Sequence, residues 1–183
     1  MRRVAIVALV LGLAAAVPAA AQETHFTAAV LVGEQLNYNG NLDGDSTVGF
    51  QLGVNLDQFW AVQVEGAFSN PSVDTPLGMG EVPPGLIREA DATLVSANLT
   101  YSFAREGRRL VPFLSGGLSW LGIDYNDPFH QGDDPSAWGF NAAAGLRYDF
   151  TGGAFAVGQV RWHALFREAQ NALQISLGFG FGI

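Results

Sequence analysis

The carboxy-terminal stretch constrains this chain more than any other. Leu173, Ile175, Leu177, Phe179, Phe181 and Ile183 alternate with Gln174, Ser176, Gly178, Gly180 and Gly182. A period of two puts every large apolar side chain on one face of a strand and every small or polar one on the other. The pattern recurs at Val48, Phe50, Leu52, Val54 and Leu56, and again at Trp60, Val62, Val64, Gly66 and Phe68. Val95, Ala97, Leu99, Tyr101 and Phe103 repeat it, as do Trp138, Phe140, Ala142, Ala144, Leu146, Tyr148 and Phe150. Three further segments carry it with weaker contrast. Residues 26–36 turn Ala28, Val30 and Val32 outward, and residues 110–123 turn Pro112, Leu114, Leu118 and Trp120 outward. Residues 154–166 send Val160, Trp162, Ala164 and Phe166 outward and leave Gln159, Arg161 and His163 inside. The sum is eight strands, an even number.

Composition decides which face meets which medium. Only 14% of the residues are charged, against roughly 25% in soluble domains. A soluble eight-stranded barrel would have an apolar interior and a charged exterior. Here the polar face is Gly, Ala, Ser, Asn and Gln, which suits a narrow lumen that side chains must fill. Aromatic residues (Trp60, Tyr101, Phe103, Trp120, Trp138, Phe150, Trp162) stand toward the ends of the spans, as they do where a bilayer meets water. The apolar face therefore belongs to lipid. An acidic balance, net −8 with no lysine, excludes nucleic-acid binding by a basic surface. The absence of cysteine removes disulfides and thiolate chemistry.

The chain opens with Met1-Arg2-Arg3, an apolar run from Val4 to Val17, Pro18, and Ala19-Ala20-Ala21. That is the layout of a secretory signal peptide cleaved after Ala21, so residues 1–21 are assigned to export and 22–183 to the barrel domain. Cleavage leaves 162 residues (183 less 21) with net charge −10. No later stretch approaches the ~18 consecutive apolar residues of a membrane helix. Short turns at Asp57-Gln58, Arg105–Arg109 and Thr151–Gly153 alternate with longer loops at Asn37–Ser46, Asn70–Ile87 and Asp124–Ser136, and with a brief Arg167–Asn171. Such asymmetry marks an outer-membrane barrel. The fold expected is all-β, an eight-stranded antiparallel up-and-down transmembrane β-barrel.

The chain from about residue 25 onward resembles the OmpA/OmpX-type small outer-membrane barrels. Val111-Pro-Phe-Leu-Ser-Gly-Gly-Leu-Ser-Trp120, Phe140-Asn-Ala-Ala-Ala-Gly-Leu-Arg-Tyr148 and Gly158-Gln-Val-Arg-Trp162 carry the likeness. The closing Leu-Gly-Phe-Gly-Phe-Gly-Ile is similar to the signal read by the barrel insertion machinery, although such signals usually end in an aromatic residue and this chain ends in Ile183. No peptidoglycan-binding domain is expected after the barrel. The resemblance implies residence in the outer membrane of a Gram-negative bacterium after export through the periplasm, among lipids and lipopolysaccharide.

By the alternation, Glu65, Arg147, Asp149, Arg161 and His163 point into the lumen. Charges there must pair or stay hydrated. The resemblance implies a luminal Glu–Arg network, carried by Glu65 with Arg161 or Arg147. Its role is read as a structural plug that satisfies polar side chains, with a gate on flow through the lumen as the alternative. No catalytic, cofactor or metal site is expected. His163 lacks the His-x-Ser pattern of lipid A deacylase barrels, since Leu165 stands two residues on. Asn39-Gly-Asn-Leu-Asp-Gly44 begins like a calcium loop, but Phe50 occupies the position that would need a bidentate carboxylate.

The loops are acidic, with Asp43 and Asp45 in the first and Asp124, Asp127, Asp133 and Asp134 in the third. Arg88 and Arg167 at the outer rim are placed to meet lipopolysaccharide phosphates. The function expected is that of a monomeric, non-enzymatic barrel that supports the envelope and presents loops 37–46, 70–87 and 124–136 to an extracellular partner. The alternatives are a lipid A-modifying enzyme and a narrow solute channel.

Overall fold

The computed structural model describes residues 26–37, 44–69, 72–73, 88–103, 108–125, 136–166 and 171–182. Eight long strands form the wall: β1 (Phe26–Asn37), β2 (Gly44–Asn55), β3 (Trp60–Ser69), β5 (Arg88–Ser102), β6 (Leu110–Tyr125), β7 (Ser136–Asp149), β8 (Ala154–Leu165) and β9 (Asn171–Gly182). A two-residue β4 (Ser72–Val73) pairs with the start of β5. Every neighbouring pair is antiparallel, β1 pairs with β9, and β3 pairs with β5 across β4. The sheet is therefore a closed ring with no free edge, which is the condition for spanning lipid with strands.

The outward residues are those the alternation assigns. Val30, Val32, Leu52, Leu99, Leu118, Trp162 and Leu177 are exposed, whereas Gln51, Ser96, Ser119 and Gln159 are buried. Val54 and Gly66 share the outward phase but are covered. Val54 lies cross-strand between Phe26 and Val62, and the Phe50 ring lies over Gly66.

The strands run further than apolar alternation reached. β1 and β2 pair out to Leu36 and Gly44, so Asp45 and Ser46 are strand residues and only 38–43 of the first loop lie between strands. β5 begins at Arg88, and β6 carries Asp124 opposite Asp91. The physical reason is that a backbone ladder continues past the bilayer, where side chains no longer need to be apolar. The signal peptide, Arg105, Arg167 and most of the loop residues fall outside the described segments, as does the Arg88 side chain.

The turn end is fixed by local chemistry. Asp57 Oδ1 accepts from the backbone N–H groups of both Phe59 and Trp60 at 2.7 Å, an Asx turn that reverses the chain between β2 and β3. Asp57→Ala is expected to cost about 1 kcal/mol, checked by urea unfolding in lipid vesicles. Between β7 and β8, Gly152 and Gly153 have φ of 86° and 82°. Two successive left-handed residues make the tight hairpin that only glycine enters without penalty. Around this end Trp60, Tyr101 and Phe103 pack edge to face, as do Tyr148 with Phe150 and Phe179 with Phe181.

Candidate functional site in the barrel lumen

Inward side chains of the described segments form two apolar clusters and a polar network between them. Nearest the turn end, Ala29, Leu31, Phe113, Phe155 and Val157 form one apolar cluster. Nearest the loop end, Ala67, Ala92, Leu94, Leu121 and Leu165 form another, with Ala137 against it. Glycines make room for the larger of these groups. A Cβ on Gly145 would strike the Phe113 ring, and one on Gly180 would lie 2.6 Å from the Phe155 ring. The small residues of the inner face thus serve as sockets for large ones on the next strand.

Between the apolar layers lies a polar one centred on an ion pair. Arg161 Nη2 is 2.9 Å from Glu65 Oε2, and the two side chains are 1% and 3% exposed. Their strands, β8 and β3, stand four steps apart whichever way the ring is traversed. The pair therefore crosses the full width of the barrel. Gln159 Nε2 donates to the same carboxylate oxygen at 2.9 Å, and Arg161 Nη1 donates to Asn141 Oδ1.

From Asn141 the bonds continue in one direction. Asn141 Nδ2 donates to Ser119 Oγ at 3.0 Å, and Ser96 Oγ lies 2.9 Å from the same oxygen. Ser119 Oγ is 3.1 Å from His163 Nδ1, and His163 Nε2 is 3.4 Å from Gln174 Oε1. The set is satisfied when Ser96 donates to Ser119, Ser119 donates to Nδ1, and a neutral His163 protonated at Nε2 donates to Gln174. This network ties together β3, β5, β6, β7, β8 and β9. A smaller set lies toward the turn end, where Gln63 Oε1 accepts from Gln51 Nε2 at 3.0 Å and from Thr100 Oγ1 at 2.8 Å.

The five charged or titratable residues singled out from the sequence divide into two groups. Glu65, Arg161 and His163 share the central layer. Arg147 and Asp149 pair with each other instead, Nε to Oδ1 at 2.9 Å, with both side chains about one-third exposed. The Arg147 guanidinium also sits over the Phe155 ring, 5.8 Å from its centroid. Of the two candidate partners for Glu65, Arg161 is the one in contact. Sequence reasoning placed Gln159 and the faces of Asn141 and Gln174 correctly but did not single out Ser119, Asn141 or Gln174 as partners. Their signal was present as polar residues in inward phase, at positions a membrane barrel could fill with Gly or Ala.

A cavity of ≈ 30 Å³ lies toward the turn end, bordered by Gln51, Gln63, Thr100, Arg147 and Phe155, room for about one water molecule. Among the described residues no group of three His, Cys, Asp or Glu side chains could hold a metal ion.

A closed, lipid-faced, eight-stranded ring with a filled lumen is the architecture of a small membrane barrel. The chain belongs to the outer membrane protein beta-barrel domain family, whose profile matches residues 5–182. That membership assigns it to the outer membrane; in bacterial barrels of this kind short turns lie on the periplasmic side and longer loops on the extracellular side. Among solved structures it is similar to the N-terminal beta-barrel domain of Pseudomonas aeruginosa OprF, at 19% identity and a TM-score of 0.63, covering 88% of this chain and 100% of the other. It is also similar to Ail, the attachment invasion locus protein of Yersinia pestis, at 13% identity, TM-score 0.62, and 88% and 100% coverage. OprG of Pseudomonas aeruginosa matches at 14% identity, TM-score 0.62, with 88% and 97% covered. At such identities the likeness is one of fold. Comparison with curated protein sequences returns no match.

Proposed function

We propose that this chain is a non-enzymatic, non-conducting outer-membrane barrel that supports envelope integrity and holds its acidic loops at the cell surface, where they meet an extracellular partner. One observation carries the reading: a hydrogen-bonded network running from Glu65 to Gln174 fills the middle of the lumen, with the Glu65–Arg161 pair joining opposite walls. An ion crossing the lumen would have to part Glu65 from Arg161, whose side chains are 3% and 1% exposed. The Glu65–Arg161 pair acts as a cross-brace within a plug.

The enzymatic alternative has one feature in its favour, since Ser119 Oγ and His163 Nδ1 are within hydrogen-bond distance. Both are buried inside the wall, however, and the far side of the imidazole meets the neutral amide of Gln174. A lipid substrate approaching from the bilayer would meet Trp162 and Phe140 instead, which face outward and are exposed.

Three measurements test the reading. Purified protein in planar bilayers is expected to give no stepwise conductance, and cells lacking it should become more sensitive to detergent. Lipid A from cells with and without the protein should have the same mass spectrum. Steps of uniform size, or an acyl-chain change abolished by His163→Ala, would overturn the proposal.

A further inference from the structure

The lipid-facing wall is not evenly covered. Along β8 the outward residues Ala156 and Gly158 are small, while their neighbours on both sides are large. Leu146 and Leu177 flank Gly158 in register, and Tyr148 and Phe179 flank Ala156. The result is a groove one strand wide and ≈ 320 Å³ in volume, whose floor is completed by Val157 and Gly178. Val160 ends the run of small residues on the extracellular side. Toward the periplasm, Phe150 and Phe179 approach across β8 with ring centroids 6.0 Å apart, narrowing the straight exit. The groove remains bordered by Tyr148 and, beyond it, Leu110. Leu110 follows Arg108 and Arg109, both exposed, and the Arg109 carbonyl accepts from Asp149 N–H at 2.7 Å, which fixes it beside the end of β7.

We infer that this groove holds one acyl chain of a phospholipid from the periplasmic leaflet, with its phosphate at Arg108 and Arg109. Three features select that occupant. The groove lies in the half of the span nearest the turns, so the chains that reach it belong to the inner leaflet. It is walled by Leu146, Tyr148 and Leu177 over Ala156 and Gly158, a slot for a thin apolar chain. Arg108 and Arg109, both exposed, immediately precede the bordering Leu110, so two cations stand in the chain next to the groove's turn-side border, where an anionic headgroup would lie. A second barrel fits less well, because eight lining residues fall far short of the ~800 Å² per partner that a stable interface needs.

The test is native mass spectrometry of the full-length mature protein, released from detergent after equilibration with 1-palmitoyl-2-oleoyl phosphatidylglycerol. Ala156→Leu fills the slot from the lipid side and should lower the fraction of lipid-bound barrel about tenfold. Arg109→Gln removes one phosphate contact without touching the groove and should lower it about fivefold. Folding of each variant is checked by heat-dependent gel mobility, and Gly158→Ala offers a milder filling. Its added Cβ would meet only the end of the Leu177 side chain. Equal lipid retention by wild type and folded Ala156→Leu would overturn the inference. So would a dimer mass that Ala156→Leu abolishes while lipid adducts persist, since the occupant would then be a second copy. The groove is outside the wall, so its failure is separate from that of a non-conducting lumen.

Discussion

Arg161→Leu is expected to lower the unfolding free energy of the barrel by about 3–5 kcal/mol, because it leaves Glu65 buried with no opposing charge. Glu65 is 3% exposed and its carboxylate keeps only the Gln159 amide as a donor. The informative comparison is the double variant Glu65→Leu with Arg161→Leu. Removing both charges eliminates the desolvation penalty along with the attraction, so much of the lost stability should return. Urea unfolding in lipid vesicles, followed by tryptophan fluorescence, measures all three variants. Additive losses in the double variant would show that the two groups do not act as a pair. Raising the salt concentration should barely move the single-variant loss, since a buried pair is poorly screened.

Phe155→Ala should cost a similar amount, about 3–5 kcal/mol, by a different route. The ring is 5% exposed and packs among Leu31, Phe113 and Val157 in the periplasmic apolar layer. Its removal leaves a hole that the backbone of a closed barrel cannot collapse to fill, and it strips the aromatic face from beneath Arg147. The same unfolding assay reads the loss. A cost below about 1 kcal/mol would mean that water or a neighbouring side chain refills the space.

Much of this architecture could be read from period-two alternation alone, since in a barrel each residue's phase decides between lipid and lumen. Even the three weaker segments, 26–36, 110–123 and 154–166, face as that phase dictates. Two things were harder to see. The luminal apolar clusters were hidden because Phe113 and Leu121 sit in stretches where both phases carry large apolar residues, while around Phe155 the large residues face inward and Ala156 and Gly158 face outward. Their recognition depends on glycines on other strands, Gly145 and Gly180, that only the register brings beneath them. The choice between Arg161 and Arg147 for Glu65 was likewise beyond alternation. Phase places a residue inside but says nothing of its height, and height depends on the stagger between β3 and β8.

The polar layer also bears on how the barrel avoids assembling wrongly. Strands of alternating Leu and Gly offer little to distinguish one alignment from the next, and a two-residue slip preserves every inside and outside assignment. Arg161 breaks that degeneracy. A one-residue slip of β8 would carry its guanidinium into lipid, at about 2–4 kcal/mol near the midplane. A two-residue slip would keep it inside but lift it away from Glu65, into the level of a leucine layer. Because the two strands are far apart in the chain and opposite in the ring, the pair can form only when every seam between them is correctly aligned. It works as a proofreading contact, withholding its stabilisation until the whole circumference has been set.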